Sequence, residues 1–348
     1  MPIDTIKVWS KHFRDAGIRP ELCESYLNYV RVLAGSNVPV IFDRNHLALL
    51  LGRSPSYLAS VVNGSEHHYR DFEIPKKRGG KRLITSPYPA LLECQYWIYH
   101  KILAGRKIHG TAHGFAFNKS ILTNARVHLG QQHFLKVDLK EFFPSIRINR
   151  VIAIFRSFGY TKELSFYLAS LCTRNRVLPQ GSPTSPVLSN LVAKGLDARL
   201  FGLAQSLSLR YTRYADDIAF SGERISPQFI NYVENIVKNE GFEINESKTV
   251  LKTGNGRRIL TGISIAGDAT LVPREYKRKL KQEIHFVRKF GVVSHTRKRK
   301  IRARNYINSL IGKVKFWLSV EPDNKFAKDA CKELEQIALN SEKVVLPY

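Results

Sequence analysis

Apolar residues recur along this chain at two spacings, and the switches between them divide it into helical and strand-like stretches. Residues 1 to about 70 read as helical. Ile41 to Gly52 carries an apolar stripe that stops at glycine, and Ser54 to Gly64 opens on Ser-Pro and stops at Asn-Gly. From Tyr69 the period shortens, and Tyr69 to Pro87 reads as a β-hairpin around Gly79-Gly80. Helices are expected from Pro89 to about Leu103 and from Ser120 to Gly130, with Ser120 as a cap. Phe134 to Asp138 is an apolar strand ending on a carboxylate, and Arg147 to Leu171 returns to the helical period. Gly181 and Pro183 break the chain into a loop before Ser185-Pro186 opens a helix with Leu188, Leu191, Val192 and Leu196 on one side. Two alternating runs flank Asp216-Asp217, an amphipathic stretch covers Pro227 to Glu240, and a strand pair spans Arg257 to Ile265. From about Pro273 the chain is helical again, which makes the class α+β.

Composition narrows the partner. The 348 residues are 43% hydrophobic, enough for a substantial core, yet Lys plus Arg exceeds Asp plus Glu by 55 − 29 = 26. Such an excess favours a polyanion. Apolar runs such as Leu47 to Leu51 are far too short to span a bilayer, so nucleic acid is preferred over a membrane. Cys23, Cys94, Cys172 and Cys331 are scattered without Cys-x-x-Cys pairing, and no charged-then-apolar leader opens the chain. Reduced thiols in a cytoplasmic protein are expected.

Several stretches carry candidate chemistry. Adjacent acids at a hairpin tip, Asp216 and Asp217, repel each other and need a cation, although Asp is also an ordinary turn former. The loop of the first hairpin holds Lys76, Lys77, Arg78, Lys81 and Arg82 around two glycines, which suits either a flap that closes on phosphates or a solvated turn. Asn124 and His128 are four apart and share one helical face. Helices 41–52 and 54–64 could mimic a helix-turn-helix, but plain support for the next domain is the simpler reading. The last segment is densely basic, with Lys277, Arg278, Lys279, Lys281, Arg288 and Lys289 followed by Arg297, Lys298, Arg299, Lys300, Arg302 and Arg304. This density fits a surface that grips a duplex through its phosphates. Tyr306, Phe316 and Trp317 lie nearby, Trp317 as core packing.

Tyr214-Ala-Asp-Asp resembles the Tyr-x-Asp-Asp box of reverse transcriptases. In the order usual for that family it is accompanied by the basic fingertip, the Asp138 strand, Leu178-Pro-Gln-Gly-x-Pro-x-Ser-Pro186, Lys248 and a primer-grip-like strand pair. The resemblance covers roughly residues 70 to 320. It implies a right-hand polymerase: a helical segment 1–68, fingers 69–130, palm 131–255 with interleaved fingers helices, primer grip 256–272 and a helical basic thumb 273–348. It implies two Mg2+ ions, with Mn2+ as a substitute, on Asp138, Asp216, Asp217 and the Leu139 carbonyl. By the same resemblance Arg82 and Lys76 meet the incoming triphosphate, Gln180 and Phe143 its sugar and base, and Lys248 the leaving phosphate. Asn124-Ala-x-x-His128 and Thr261-Gly262 are similar to the two signatures of bacterial retron reverse transcriptases, with Leu260 where valine is usual. That branch implies a cognate structured non-coding RNA near Asn124 and His128, priming from a 2′-hydroxyl, a branched RNA-DNA product, deoxynucleoside triphosphates as substrates, and antiphage defence with a separate effector protein. The alternatives are another defence or group II-like reverse transcriptase without branched priming, or an RNA-binding scaffold with a lost activity.

Overall fold

In the computed structural model the described residues are 2–75, 79–254, 256–299 and 305–342. Four helices come first: α1 (Pro2–Asp15), α2 (Pro20–Gly35), α3 (Arg44–Leu50) and α4 (Pro55–Asn63). Their starts are local decisions. Asp43 accepts from the His46 N–H, Ser54 from the Tyr57 N–H, and prolines open α2 and α4. The hairpin of β1 (Tyr69–Pro75) and β2 (Lys81–Pro87) follows, with Tyr69 opposite Pro87 and Pro75 opposite Lys81. Next come α5 (Pro89–Ile98), which continues as a π turn to Leu103, and α6 (Ile121–Val127), opened by a Ser120–Thr123 capping box.

After β3 (His133–Asp138) the expected single helical run is two helices, α7 (Ile148–Ser157) and α8 (Lys162–Cys172). Gly159 separates them at φ +102°, where a Cβ would lie 2.4 Å from Val32 of α2, and Thr161 caps α8. The chain then runs through α9 (Ser185–Val192), α10 (Lys194–Ser206), β4 (Arg210–Tyr214), β5 (Asp217–Gly222), α11 (Gln228–Asn239), β6 (Val250–Lys252), β7 (Ile259–Leu260) and β8 (Ile263–Ser264). It ends in α12 (Arg274–Lys298), kinked at Gly291, α13 (Tyr306–Val320) and α14 (Lys325–Glu342).

The central sheet is antiparallel in the order β4-β5-β3-β6. Side chains alternate across it, so the register sorts them into two faces. Leu135, Val137, Tyr211, Ile218 and Phe220 point to one side and join the main core with α5 and with helices α7 to α11. Each fully buried Leu, Ile or Phe there contributes about 1.5–3 kcal/mol. The other side bears Phe134, Lys136 and Asp138 on β3, Asp217, Ala219 and Ser221 on β5, and Arg210, Thr212 and Tyr214 on β4. Its lower part is covered: Phe134 and Ala219 pack with Ala125 of α6, Leu260 and Ile263 of the β7–β8 pair, and the three last helices. The upper part, where the acids lie, is left uncovered by that cluster. No helix among the described residues is long and apolar enough to cross a membrane, and all four cysteines are free.

Candidate active site

Asp138 ends β3 directly opposite Asp217, the first residue of β5, while Asp216 occupies the two-residue turn between β4 and β5. The tip is therefore an acidic hairpin, as its sequence suggests. Ala215 takes φ +56° to make the turn, and the Leu139 N–H donates to the Asp216 carbonyl at 2.9 Å, binding the tip to the end of β3. Lys248, brought in by the 3-10 turn Glu246–Lys248, reaches Asp138 Oδ2 at 2.8 Å, and Lys136 reaches Asp217 Oδ1 at 2.8 Å. Burial raises the pKa of the Asp216 carboxyl, and the neighbouring Asp217 and Asp138 carboxylates add to that rise, partly offset by Lys248.

This donor set suits a hard divalent cation. Asp216 lies in a surplus of negative charge that Lys248 only partly relieves, and its oxygens are the ligands that Mg2+ and Mn2+ prefer. Among the described residues no three His, Cys, Asp or Glu side chains already converge as a closed metal cage. The two flanking acids lean instead toward Lys248 and Lys136. Mg2+ is commonly held by a few carboxylates together with water and substrate phosphates, so an open set of this kind fits it.

The turn is braced from the core side by a polar cluster that the sequence reading did not single out. Arg213 of β4 is fully buried and forks onto Asp197 of α10, with Nε at 2.7 Å and Nη2 at 2.6 Å, and its Nη1 donates to the Ala215 carbonyl at 3.1 Å. Tyr211 donates to the same Asp197, its hydroxyl held well above its ordinary pKa by burial and by that carboxylate. Asn190 links Arg213 to the Gly114 carbonyl, and Gly114 packs so closely that a Cβ would lie 2.5 Å from the Ala215 nitrogen. The available signal was phase. Arg213 alternates with Tyr211 on the core-facing side of β4, where a charge is in place only if paired.

Gln180 is half-buried, and its carbonyl accepts from the Thr85 N–H at 2.8 Å, which ties the nucleotide-loop sequence to the base of the first hairpin. Gly181 permits the approach: a Cβ there would lie 2.6 Å from the Thr85 carbonyl oxygen. Behind it Ser182 donates to Gln95, which donates to Tyr69 of β1 and to the Leu171 carbonyl. Phe143 is half-buried between Phe142 and Phe115, ring centres 5.5 and 6.1 Å away. Arg82 is exposed on β2 opposite Ile74, toward the tip of the hairpin. Lys76 lies outside the described residues.

Asn124 and His128 do not face solvent: both have zero exposure, because α6 lies on the sheet with this side inward. Neither is open to direct contact with RNA here. The His128 ring sits between Ser221 Oγ at 2.7 Å and Thr212 Oγ1 at 2.8 Å, and the Asn124 carboxamide has no hydrogen-bond partner among the described residues. In the basic segment, Lys277 is held at 2.6 Å by Glu321, a carboxylate that also accepts from Trp317, so its charge is already matched. Lys281 stands 4.7 Å over the Phe326 ring yet remains exposed, as do Arg278, Arg297 and Arg299. Lys300, Arg302, Arg304 and the side chain of Lys298 lie outside the described residues.

Residues 74–288 match the family model described as "Reverse transcriptase (RNA-dependent DNA polymerase)". The chain is 37% identical over 253 residues to the retron Mx162 reverse transcriptase of Myxococcus xanthus, covering 63% of this chain but only 52% of that protein. It is 33% identical over 278 residues to the retron Ec86 reverse transcriptase of Escherichia coli, covering 78% of this chain and 87% of that protein. Among solved structures, a foamy viral protease-reverse transcriptase aligns at a TM-score of 0.40 and 19% identity, over 72% of this chain and 36% of that one. The family assignment rests on the sequence matches together with the ordered motifs above. With its α+β right-hand polymerase architecture, the chain belongs to the reverse transcriptases, on their retron branch.

Proposed function

We propose that the chain copies part of a cognate structured RNA into DNA, beginning at a 2′-hydroxyl of that RNA and leaving a branched RNA-DNA product. The observation that carries the polymerase part of this reading is that Asp138, Asp216 and Asp217 share one end of a sheet face, beyond its hydrophobic cover. Asp138, Asp216, Asp217 and the Leu139 carbonyl would hold two divalent ions. Such ions, when bound, activate a hydroxyl nucleophile and neutralise charge on the attacking and leaving oxygens. The side chains do the positioning. Lys136 orients Asp217 through their 2.8 Å contact. Lys248 can leave Asp138 to give a proton from Nζ to the departing pyrophosphate, since half of its side chain is exposed. Arg82, with Lys76, would hold the triphosphate, and Gln180 and Phe143 the sugar and base.

A cavity of about 940 Å3 beside the Phe143 contact is lined by Tyr96, Phe115, Phe117, Lys107 and Lys119. Residues 94–137 contain no acid, and Phe117 is 93% exposed. Aromatic faces among unopposed cations suit a single-stranded template. The cognate RNA, the branch, the defence role and the effector protein rest on kinship with retron enzymes.

The test is to express the gene with its native upstream DNA, purify the protein and digest its bound nucleic acid with ribonuclease, deoxyribonuclease and debranching enzyme. A short DNA joined to RNA by a debranchable 2′-5′ link is expected, absent from Asp138→Asn and Asp216→Asn proteins that still bind RNA. Their extension rates should fall by at least about a hundredfold. Unbranched DNA would move the protein to another reverse transcriptase group. RNA alone from every protein would indicate a scaffold.

A further inference from the structure

His128 is a fully buried imidazole that the polymerase reading leaves without a task. It closes α6 at the C-cap and inserts between two hydroxyls on different strands, Thr212 of β4 and Ser221 of β5. These are the strands that carry the Asp216–Asp217 turn. Thr212, Ser221 and His128 are all at most 1% exposed, so no water competes for the contacts. The ring also meets Phe134 of β3 edge-on at 5.9 Å, which places one side chain against all three strands that bring the acids together.

The sheet register gives the contact its meaning. Ser221 and Asp217 lie on the same face of β5, two alternations apart, and Thr212 shares that face through its pairing with Ala219. The imidazole therefore presses on the same surface as the carboxylates, below them. On its other side α6 packs through Ala125 against Leu260 and Ile263 of the β7–β8 pair. Helix α6 is a spacer between the acid-bearing hairpin and the strand pair that corresponds to a primer grip, and His128 fixes where that spacer sits.

We propose that His128 is a positioning residue: by bridging Thr212 and Ser221 it sets the catalytic hairpin against α6 and the β7–β8 pair, and so places the reacting end of the primer over the aspartates. This rests on the polymerase reading above. A bridge of this kind needs one donor and one acceptor at fixed separation, which neutral imidazole supplies in either tautomer. Burial, with His113 and Arg210 nearby, holds the ring pKa down to about 3, so it stays neutral throughout the working range. What the neutral ring offers here is the geometry of its two contacts.

The experiment uses the full chain with a poly(rA)·oligo(dT) template–primer, dTTP and Mg2+, and measures single-turnover extension rate, dTTP affinity, template–primer affinity and melting temperature. His128→Leu removes both contacts. His128→Gln retains a donor and an acceptor, and Thr212→Val with Ser221→Ala removes the partners while leaving the ring. The expected result is an extension rate lowered by about tenfold or more in the Leu protein and in the double variant, since small misplacements of reacting groups are costly. Affinities for dTTP and template–primer should stay within about twofold, and Gln should recover most of the rate. Unchanged rates in the Leu and double variants would overturn the proposal. So would losses that track melting temperature and template–primer affinity without rescue by Gln, because they would mark a purely structural residue. Failure of the unsubstituted protein to extend this primer would instead overturn the polymerase reading, and the proposal with it.

Discussion

Asp216 is the residue whose behaviour depends most on its neighbours. Its carboxyl has a raised pKa in the folded chain, so the native state binds its proton more tightly than the unfolded state does. Without divalent ions, the contribution of Asp216 to stability, read as the difference between the unsubstituted and Asp216→Asn proteins, should therefore fall as pH climbs from the ordinary carboxylate range through the raised value. Mg2+ should oppose that fall, because only the ionised carboxylate binds it. Thermal melts across this window, with and without Mg2+, should show both effects, and Asp216→Asn should flatten the metal-free trend. A difference between the unsubstituted and Asp216→Asn proteins that instead rises through the window would contradict the charge surplus. At this scale the acids were legible because a hairpin tip and a strand end are local patterns. His128 was not, because four-residue spacing identifies a helical face without saying whether that face is covered.

At the scale of elements, the β4–β5 hairpin depends on a fully buried ion pair. Arg213 and Asp197 are both completely enclosed, so removing one partner strands a charge in a dry interior. Asp197→Asn or Arg213→Leu should cost about 3–5 kcal/mol in chemical denaturation. Glu240→Gln, which breaks the partly exposed pair with Arg199, should cost no more than about 1 kcal/mol. Equal costs would mean that the buried pair is not the brace described here. The strands and the capped helices were readable from alternation, Ser-Pro starts and Gly stops. The division of 147–171 into α7 and α8 was not, since Gly159 serves an approach to α2, a contact remote in sequence.

For the whole molecule, an excess of 26 positive charges predicts nucleic-acid binding that weakens steeply with salt. The structure distinguishes which cations take part. Arg278 is exposed, so Arg278→Ala should lower the slope of log affinity against log salt by about one if it meets a phosphate. Lys277→Ala should leave that slope nearly unchanged while destabilising α12 against α13, because Glu321 already holds its ammonium. Filter-binding titrations over a salt series separate the two. Equal slopes for both variants would show that the Lys277–Glu321 pair opens when nucleic acid binds.

The sequence by itself determined most of the helices and strands and their order, the three aspartates, the basic composition and the family. Each of these is written in nearest-neighbour spacing, composition or contiguous motif, which survive without knowledge of what packs on what. Only the tertiary structure decided that Asp138 stands opposite Asp217, that Lys248 and Lys136 lean on the acids, that Arg213 braces the turn from inside, and that Asn124 and His128 point into the sheet. Those facts depend on which face of one element is covered by another. Covering is a long-range property, set by the balance of burial and polar pairing over the whole chain.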